Sequence, residues 1–326
     1  MADAAAKIEL NPVAPPQGLP RTEGFKVVST EIGPKGEVLR LLVRDNSAGS
    51  LVKTKQLGLA SFPETRTKNE YSAILAICGM DWNQEIPLSR VTATFPKVQL
   101  FPNGEILVVA PRCRKFQDGS YELNATVYDS GGAAVRQFLL GDGIEHVQVD
   151  PSGHIWVGYF DEGVYGNFGW GNETNRYGTA GLSCFNSRGE RLWDFQPPSG
   201  CDFISDCYAM NVSRDGVWVY YYTGFPFVRI DRSWNARAWP SRTSGGREFA
   251  VHGHRVLHYG GYAEHQTKCK LLHLGQEAAE FVAEVKLLFP SEVELSKSVV
   301  IGRDNKLHVF SDDVWYTFSA DSKELA

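Results

Sequence analysis

Three things are scarce in this chain of 326 residues. No apolar run approaches the roughly 18 residues that a membrane span requires, so a spanning helix is excluded. No C-x-x-C pair occurs among the six cysteines (78, 113, 184, 201, 207 and 269), which removes zinc-ribbon and dithiol redox readings. Cys201 and Cys207 are the one pair near enough in a loop-rich stretch for a bridge, although reduced structural thiols are the expectation in a cytoplasmic protein. Basic charge is also lacking: 33 Lys and Arg stand against 38 Asp and Glu, a net charge of −5 and a pI near 5.9. That balance argues against a nucleic-acid backbone as partner. The N-terminal MADAAAKIELNPVAPPQG shows no basic and then apolar secretory pattern, so a cytoplasmic location is expected. Helical periodicity is sparse too; its best case, GQEAAEFVAEVKLL (275–288), reads equally well as an alternating strand.

What is present is a core-forming composition, with 43% hydrophobic and 12% aromatic residues, laid out as a repeat. KVVSTEIGPKGEVLRLLV, KVQLFPNGEILVVAP, HVQVDPSGHIWVGYF, AMNVSRDGVWVYYYT, REFAVHGHRVLHYGG and SVVIGRDNKLHVFSD each show an apolar strand, a tight turn and a second apolar strand. Gly36, Gly104, Gly153, Gly216, Gly253 and Asn305 mark the turns, where a residue tolerant of positive φ is needed. Successive spacings of 68, 49, 63, 37 and 52 residues suit one four-stranded blade each. Further hairpins at 124–140, 179–196 and 227–239 supply third and fourth strands. The pattern predicts a single all-β domain, a six-bladed β-propeller. A seventh blade could hide between 36 and 104. The last repeat shows only three strands before a polar tail (320–326). The N-terminal segment (1–24) is therefore expected to close the ring, with KIELNPVA (7–14) as the missing strand and the Pro-rich run after it as a connector.

The repeat locates a site. In such blades the first-to-second-strand turns share one face. Segments leaving second strands and leading into first strands share the other, where ligands are expected. On that rim fall PRCRK (111–115), GDGIEH (141–146), YFDEGVYGNFGWG (159–171), CDFISDCY (201–208) and the loop after Tyr259. Acid–base or metal chemistry points to His146, Asp161 and Glu162, the two carboxylates alternating in direction if the strand runs on through them. A hard divalent cation such as Ca²⁺ would take Asp161 and Asp206. Ligand contact is expected from Tyr159, Tyr165, Trp170, Tyr208, Tyr221 and Tyr222, with Asp202, Asp206, Arg112 and His265 as polar partners. The bland counterparts are blade packing for the aromatics, loop capping for the carboxylates and mutual pairing for the arginines. Trp156 and Trp218 are expected in the core. Cys207 is a reactive thiol only if its pKa is lowered. The pair His252 and His254, with His258, is a weaker metal candidate on the other face. No nucleophile motif is present.

The runs VDPSGHIWVGYFDEGVYGN, GLSCFNSRGERLW and SDCYAMNVSRDGVWVYYYTGFPFVRI resemble a group of actinobacterial propeller proteins over roughly residues 95–235. That resemblance carries no activity with it. More loosely, D-P-S-G-x-I-W-V-G is similar to the repeats of NHL-type, gluconolactonase-like and strictosidine-synthase-like six-bladed propellers. The gluconolactonase resemblance implies a divalent cation held by Glu, Asn and Asp. Those ligands cannot be matched residue by residue here, so the activity is not carried over. The leading expectation is recognition of a small polar or aromatic molecule at the rim. A metal-assisted hydrolase, lyase or cyclase in the same pocket is the second reading, and a protein-interaction scaffold the third. Neither nucleic acid nor membrane is expected as a partner.

Overall fold

A computed structural model describes residues 6–20, 23–57, 60–79, 82–171 and 176–326. Its strands form six successive sheets built on four antiparallel strands each, the all-β arrangement of a six-bladed β-propeller. The chain divides into two compact units, one of residues 22–195 and the other of 1–21 with 196–326.

In the 22–195 unit, the first sheet pairs Phe25–Ile32, Val38–Arg44, Arg66–Cys78 and Asn83–Ala93. The second comprises Lys97–Leu100, Ile106–Val109, Ala125–Tyr128 and Ala134–Phe138. The third is Ile144–Val149, Ile155–Tyr159, Leu182–Phe185 and Arg191–Asp194. The second strand Val38–Arg44 is buried at every residue but Arg44. The outer strand Ala134–Phe138 is mostly exposed. Between 36 and 104 no seventh four-stranded sheet stands among the described residues. That interval holds a short helix (Asp45–Leu51), a small hairpin (Thr54–Leu57 with Ala60–Pro63) and the long outer pair of the first sheet.

In the other unit, the fourth sheet is Asp206–Ser213, Gly216–Tyr222, Phe227–Ile230 and Ala236–Trp239. The fifth is Gly246–His252, Arg255–Gly260, Cys269–Leu274 and Ala279–Leu287; the ambiguous 275–288 segment is thus a strand. The sixth consists of Val299–Arg303, Lys306–Ser311, Val314–Ser319 and the two-residue strand Gln17–Gly18. The N-terminal segment therefore does complete the last sheet, but not with the expected residues. Lys7–Leu10 instead adds a fifth, parallel strand to the fifth sheet beside Ala279–Leu287, while Gln17–Gly18 pairs with Val314 and Trp315. Of the 1–24 segment, residues 1–5, 21 and 22 lie outside the described ones. Nor is 320–326 a free polar tail. Ala320 and Leu325 are buried, and Glu324 accepts hydrogen bonds from the backbone N and Nδ2 of Asn11 at 3.1 and 2.7 Å.

Turn chemistry explains the punctuation. In D-P-S-G-H, Asp150 Oδ1 accepts from the backbone N of Ser152 (2.8 Å) and His154 (3.0 Å), and its Oδ2 accepts from Trp156 Nε1 at 3.1 Å. Asn186 and Asp231 bond the second and fourth residues after them in the same way. An Asx side chain thus mimics a backbone turn and fixes each hairpin. In the sixth repeat the positive φ falls on Asp304 (53°), one residue before the expected Asn305. Trp156 and Trp218 are core residues as expected, packed on Trp193 and Trp239 respectively.

Two buried histidines couple this packing to pH. Burial lowers the pKa of His258 to about 3, with the Lys270 charge adding to the effect. His308 is likewise lowered to about 3, by burial first and then by the Lys306 and Arg303 charges. Below the ordinary imidazole pKa of 6.5 the unfolded chain takes up protons that these groups refuse in the fold. Each histidine therefore removes up to about 1.4 kcal/mol of stability per pH unit as pH falls from 6.5 towards 3. Urea melts between pH 7 and 4.5 are expected to show this loss, and His258→Leu to roughly halve its slope; an unchanged slope would contradict the assignment.

Candidate functional site

On the expected rim, segments leaving second strands should meet segments leading into first strands. In the 22–195 unit they do. Arg112 follows the strand Ile106–Val109, Asp142 precedes Ile144–Val149, and Glu162 follows Ile155–Tyr159. The Arg112 guanidinium donates from Nε and Nη2 to the two oxygens of Asp142, both at 3.0 Å, and from Nη1 to Glu162. Its planar face lies over Phe168 (4.4 Å) and Phe160 (5.2 Å). Asp142 also accepts from Cys113 N at 2.8 Å. Burial pushes its carboxyl up to about 6, against the opposing pull of Arg112 and of these hydrogen bonds. Glu162 is held from its other side by Asn167 Nδ2 at 2.7 Å.

Glycine makes this approach possible. A Cβ on Gly143 would stand 2.2 Å from Gly163 N, and one on Gly163 would stand 2.6 Å from Asp142 O. The G-D-G turn can therefore lie directly against the following loop only because neither residue has a side chain. That loop does not continue the strand. Asp161–Tyr165 forms a short helix, so the expected alternation of Asp161 and Glu162 fails. Asp161 instead accepts from the backbone N of Glu162 at 2.7 Å and is otherwise exposed.

The aromatics of this unit divide by burial. Tyr159 is fully buried and donates its hydroxyl to Leu140 O at 2.5 Å. Trp170 packs on Cys113 and Leu139 and donates Nε1 to Cys113 O at 2.9 Å. Both are packing residues, which corrects their placement as ligand contacts. Arg112 is corrected likewise: it is buried and engaged by two carboxylates. Tyr165 remains exposed. His146 is half-buried in the opening strand of the third sheet, paired across from Gly158.

In the other unit the same convergence is made by tyrosines. Tyr208, near the start of Asp206–Ser213, shares a hydroxyl–hydroxyl hydrogen bond of 2.7 Å with Tyr262, which follows Arg255–Gly260. Burial, then this bond, raises the Tyr208 pKa. Phe225 stands edge-on to both rings, at 5.1 and 6.1 Å, and Tyr222 tilts against it at 5.7 Å. Tyr222 and Tyr262 are 48% and 49% exposed, enough ring face for a ligand. Asp206 pairs across from Tyr222, and His265 is exposed beside Glu264 on the short turn Ala263–His265. Tyr221, by contrast, is buried with its hydroxyl donated to the carbonyl of Asp202, so it offers no surface to a ligand. Asp202 keeps its side chain exposed.

Asp161 and Asp206 fall in different units, and no group of three or more His, Cys, Asp and Glu able to hold a metal ion occurs among the described residues. His252 and His254 are exposed in a turn while His258 is wholly buried, so the three do not assemble. All six cysteines are free, and Cys207 is buried, so the condition for a reactive thiol is not met by exposure. Sequence reasoning missed Asp142 and Phe225. The first was signalled only by the glycines on either side of it; the second had no signal apart from its aromaticity.

The model of the YxzG family matches residues 176–318. No curated protein sequence matches the chain. Among solved structures, a virginiamycin B lyase from Staphylococcus aureus with quinupristin aligns at 12% identity and a TM-score of 0.46, covering 93% of this chain and 98% of that one. A gluconolactonase from Xanthomonas campestris aligns at 11% identity and a TM-score of 0.41, covering 98% and 99%. The β-propeller domain of the trilobed protease from Pyrococcus furiosus gives 12% and 0.45, covering 93% and 83%. No residue role is carried over from these likenesses.

The buried ion triad can be tested by removing each partner in turn. Arg112→Met leaves Asp142 with a buried, unpaired carboxylate and is expected to cost about 3–5 kcal/mol. Glu162→Gln, at the exposed end of the triad, should cost about 1 kcal/mol. Equal losses in urea melts would show that the triad is not anchored by Asp142.

Proposed function

We propose that this propeller binds a small polar or aromatic molecule, and that the surface made by Tyr208, Tyr222 and Tyr262 is its contact. The observation that supports the reading is the exposed half of this cluster. Two tyrosine hydroxyls from different sheets are hydrogen-bonded to each other, and two ring faces stay open to solvent over Phe225. Exposed rings with polar edges can stack on a planar group while a hydroxyl accepts or donates a hydrogen bond. Asp206, paired across from Tyr222, and Arg247 place charge beside Tyr208, and the exposed His265 follows Tyr262 by three residues.

In this reading the Arg112–Asp142–Glu162 triad has a positioning role. A guanidinium held by two carboxylates and two rings pins three loops of its own unit, and its donors are no longer available to a ligand. A metal-assisted reaction needs a ligand set, and the Asp161 carboxylate is turned to its own helix backbone.

Saturation-transfer NMR with phenolic and indolic carboxylates, set against aliphatic polyols, is the test. Transfer to the aromatic probes is expected, with affinity falling about tenfold in Tyr222→Ala and Tyr262→Ala while both variants keep the parent Tm. Affinity unchanged in both variants would refute the site. Capture of no aromatic probe, alongside a stable protein complex lost in the same two variants, would favour the interaction-scaffold reading.

A further inference from the structure

The opposite ends of the fourth, fifth and sixth sheets, where first and second strands are joined, enclose a cleft of about 330 Å³. Arg214 and Asp215 from the fourth sheet's turn, His252 from the fifth and Asp304 from the sixth line it, with Trp218 and Arg229. A second cleft of about 230 Å³ shares Arg229 and Gly253 as a wall and continues to Arg237 and Trp239. Along this groove two stacked indoles are flanked by two cations. Arg229 lies over Trp218 (5.9 Å), Trp218 stacks on Trp239 (5.5 Å), and Arg237 lies over Trp239 at 4.5 Å.

The lining of the two clefts carries Arg214, Arg229 and Arg237 together with Asp215, Asp231 and Asp304. Among the described residues, Arg214, Arg229, Arg232 and Arg237 form no ion pair, and those with hydrogen bonds donate them to backbone carbonyls. Arg229 donates Nη2 to Asp215 O at 3.0 Å, but its Nε is buried with no acceptor at all. A buried donor without a partner costs about 1–3 kcal/mol. Of the acids in the groove, Asp231 is taken up by its own turn, where it accepts from Ser233 N and Asn235 N. Asp215 and Asp304 line the larger cleft and Asp231 the outer one, with Arg229 as the cation on the wall they share.

We propose that this groove is an oxyanion site, in which the carboxylate or phosphate of a small organic anion meets the Arg229 guanidinium between the two clefts. A planar fork of donors suits the paired oxygens of such a group. The aspartates of the larger cleft select for an anion that also carries hydroxyl or amino donors. The site lies at the other ends of the strands from the tyrosine cluster and is independent of the function proposed for that cluster.

Isothermal titration at low salt with citrate and with inorganic phosphate tests this, and their relative affinity tells a carboxylate from a phosphate ligand. One saturable site per chain is expected, weakened about tenfold by Arg229→Gln and by Arg214→Gln, and weakened further by salt of roughly 0.3 M. Arg214 is exposed, so its variant keeps the test open if Arg229→Gln fails to fold. Tyr222→Ala should leave this binding unchanged. No saturable binding of either probe up to about 10 mM would overturn the proposal, as would affinity within about twofold of the parent in Arg214→Gln.

Discussion

Each unit depends on one buried side-chain amide that ties three opening strands together. In residues 22–195 it is Gln99, which donates Nε2 to Ile32 O (3.3 Å) and accepts from Val149 N (3.1 Å), joining the first, second and third sheets. In the other unit it is Asn211. Its Nδ2 donates to Phe249 O (2.7 Å) and Asp304 O (3.0 Å), and its Oδ1 accepts from Asp304 N at 2.7 Å, joining the fourth, fifth and sixth. Both amides are 1% exposed. Packing between sheets is hydrophobic and non-directional, so alone it would tolerate small slips of one sheet against the next. A buried amide tolerates none, since every unmade hydrogen bond leaves a desolvated polar group.

Everything proposed about function follows from that register. Because opening strands are held level, the segments at their ends meet: Asp142 reaches Arg112 and Glu162 in one unit, and Tyr208 reaches Tyr262 in the other. The two meeting points are solved differently. The first is closed, with the Arg112 charge countered by two carboxylates and aromatic rings over it. The second is open, with polar ring edges facing water. At the far ends of the strands the tight turns leave a groove where Arg229 and Arg237 lie over indoles.

The sheets were legible in the sequence because hairpin turns are local chemistry. Asp150, Asn186 and Asp231 each bond their own turn, so D-P-S-G-H, N-S-R-G-E and D-R-S-W-N announce hairpins without help from the rest of the chain. The site was only half legible. Its segments could be assigned to one rim from strand direction alone, but not the role of each side chain. Tyr159 and Tyr222 look equivalent in sequence; one is fully buried and the other is 48% exposed. Arg112 read as a free rim cation until Asp142 came within reach.

Composition and repeat spacing alone therefore determined an all-β chain of six blade-like repeats and the face on which loops gather, since both rest on contacts a few residues apart. Only tertiary structure decided the pairings between distant segments. It set Lys7–Leu10 beside Ala279–Leu287 and not on the last sheet, turned Asp161–Tyr165 into a helix, and shifted the sixth turn's positive φ to Asp304. The reason is that a pattern of apolar residues states that a strand must be covered, whereas which strand covers it depends on directional hydrogen bonds made across the fold.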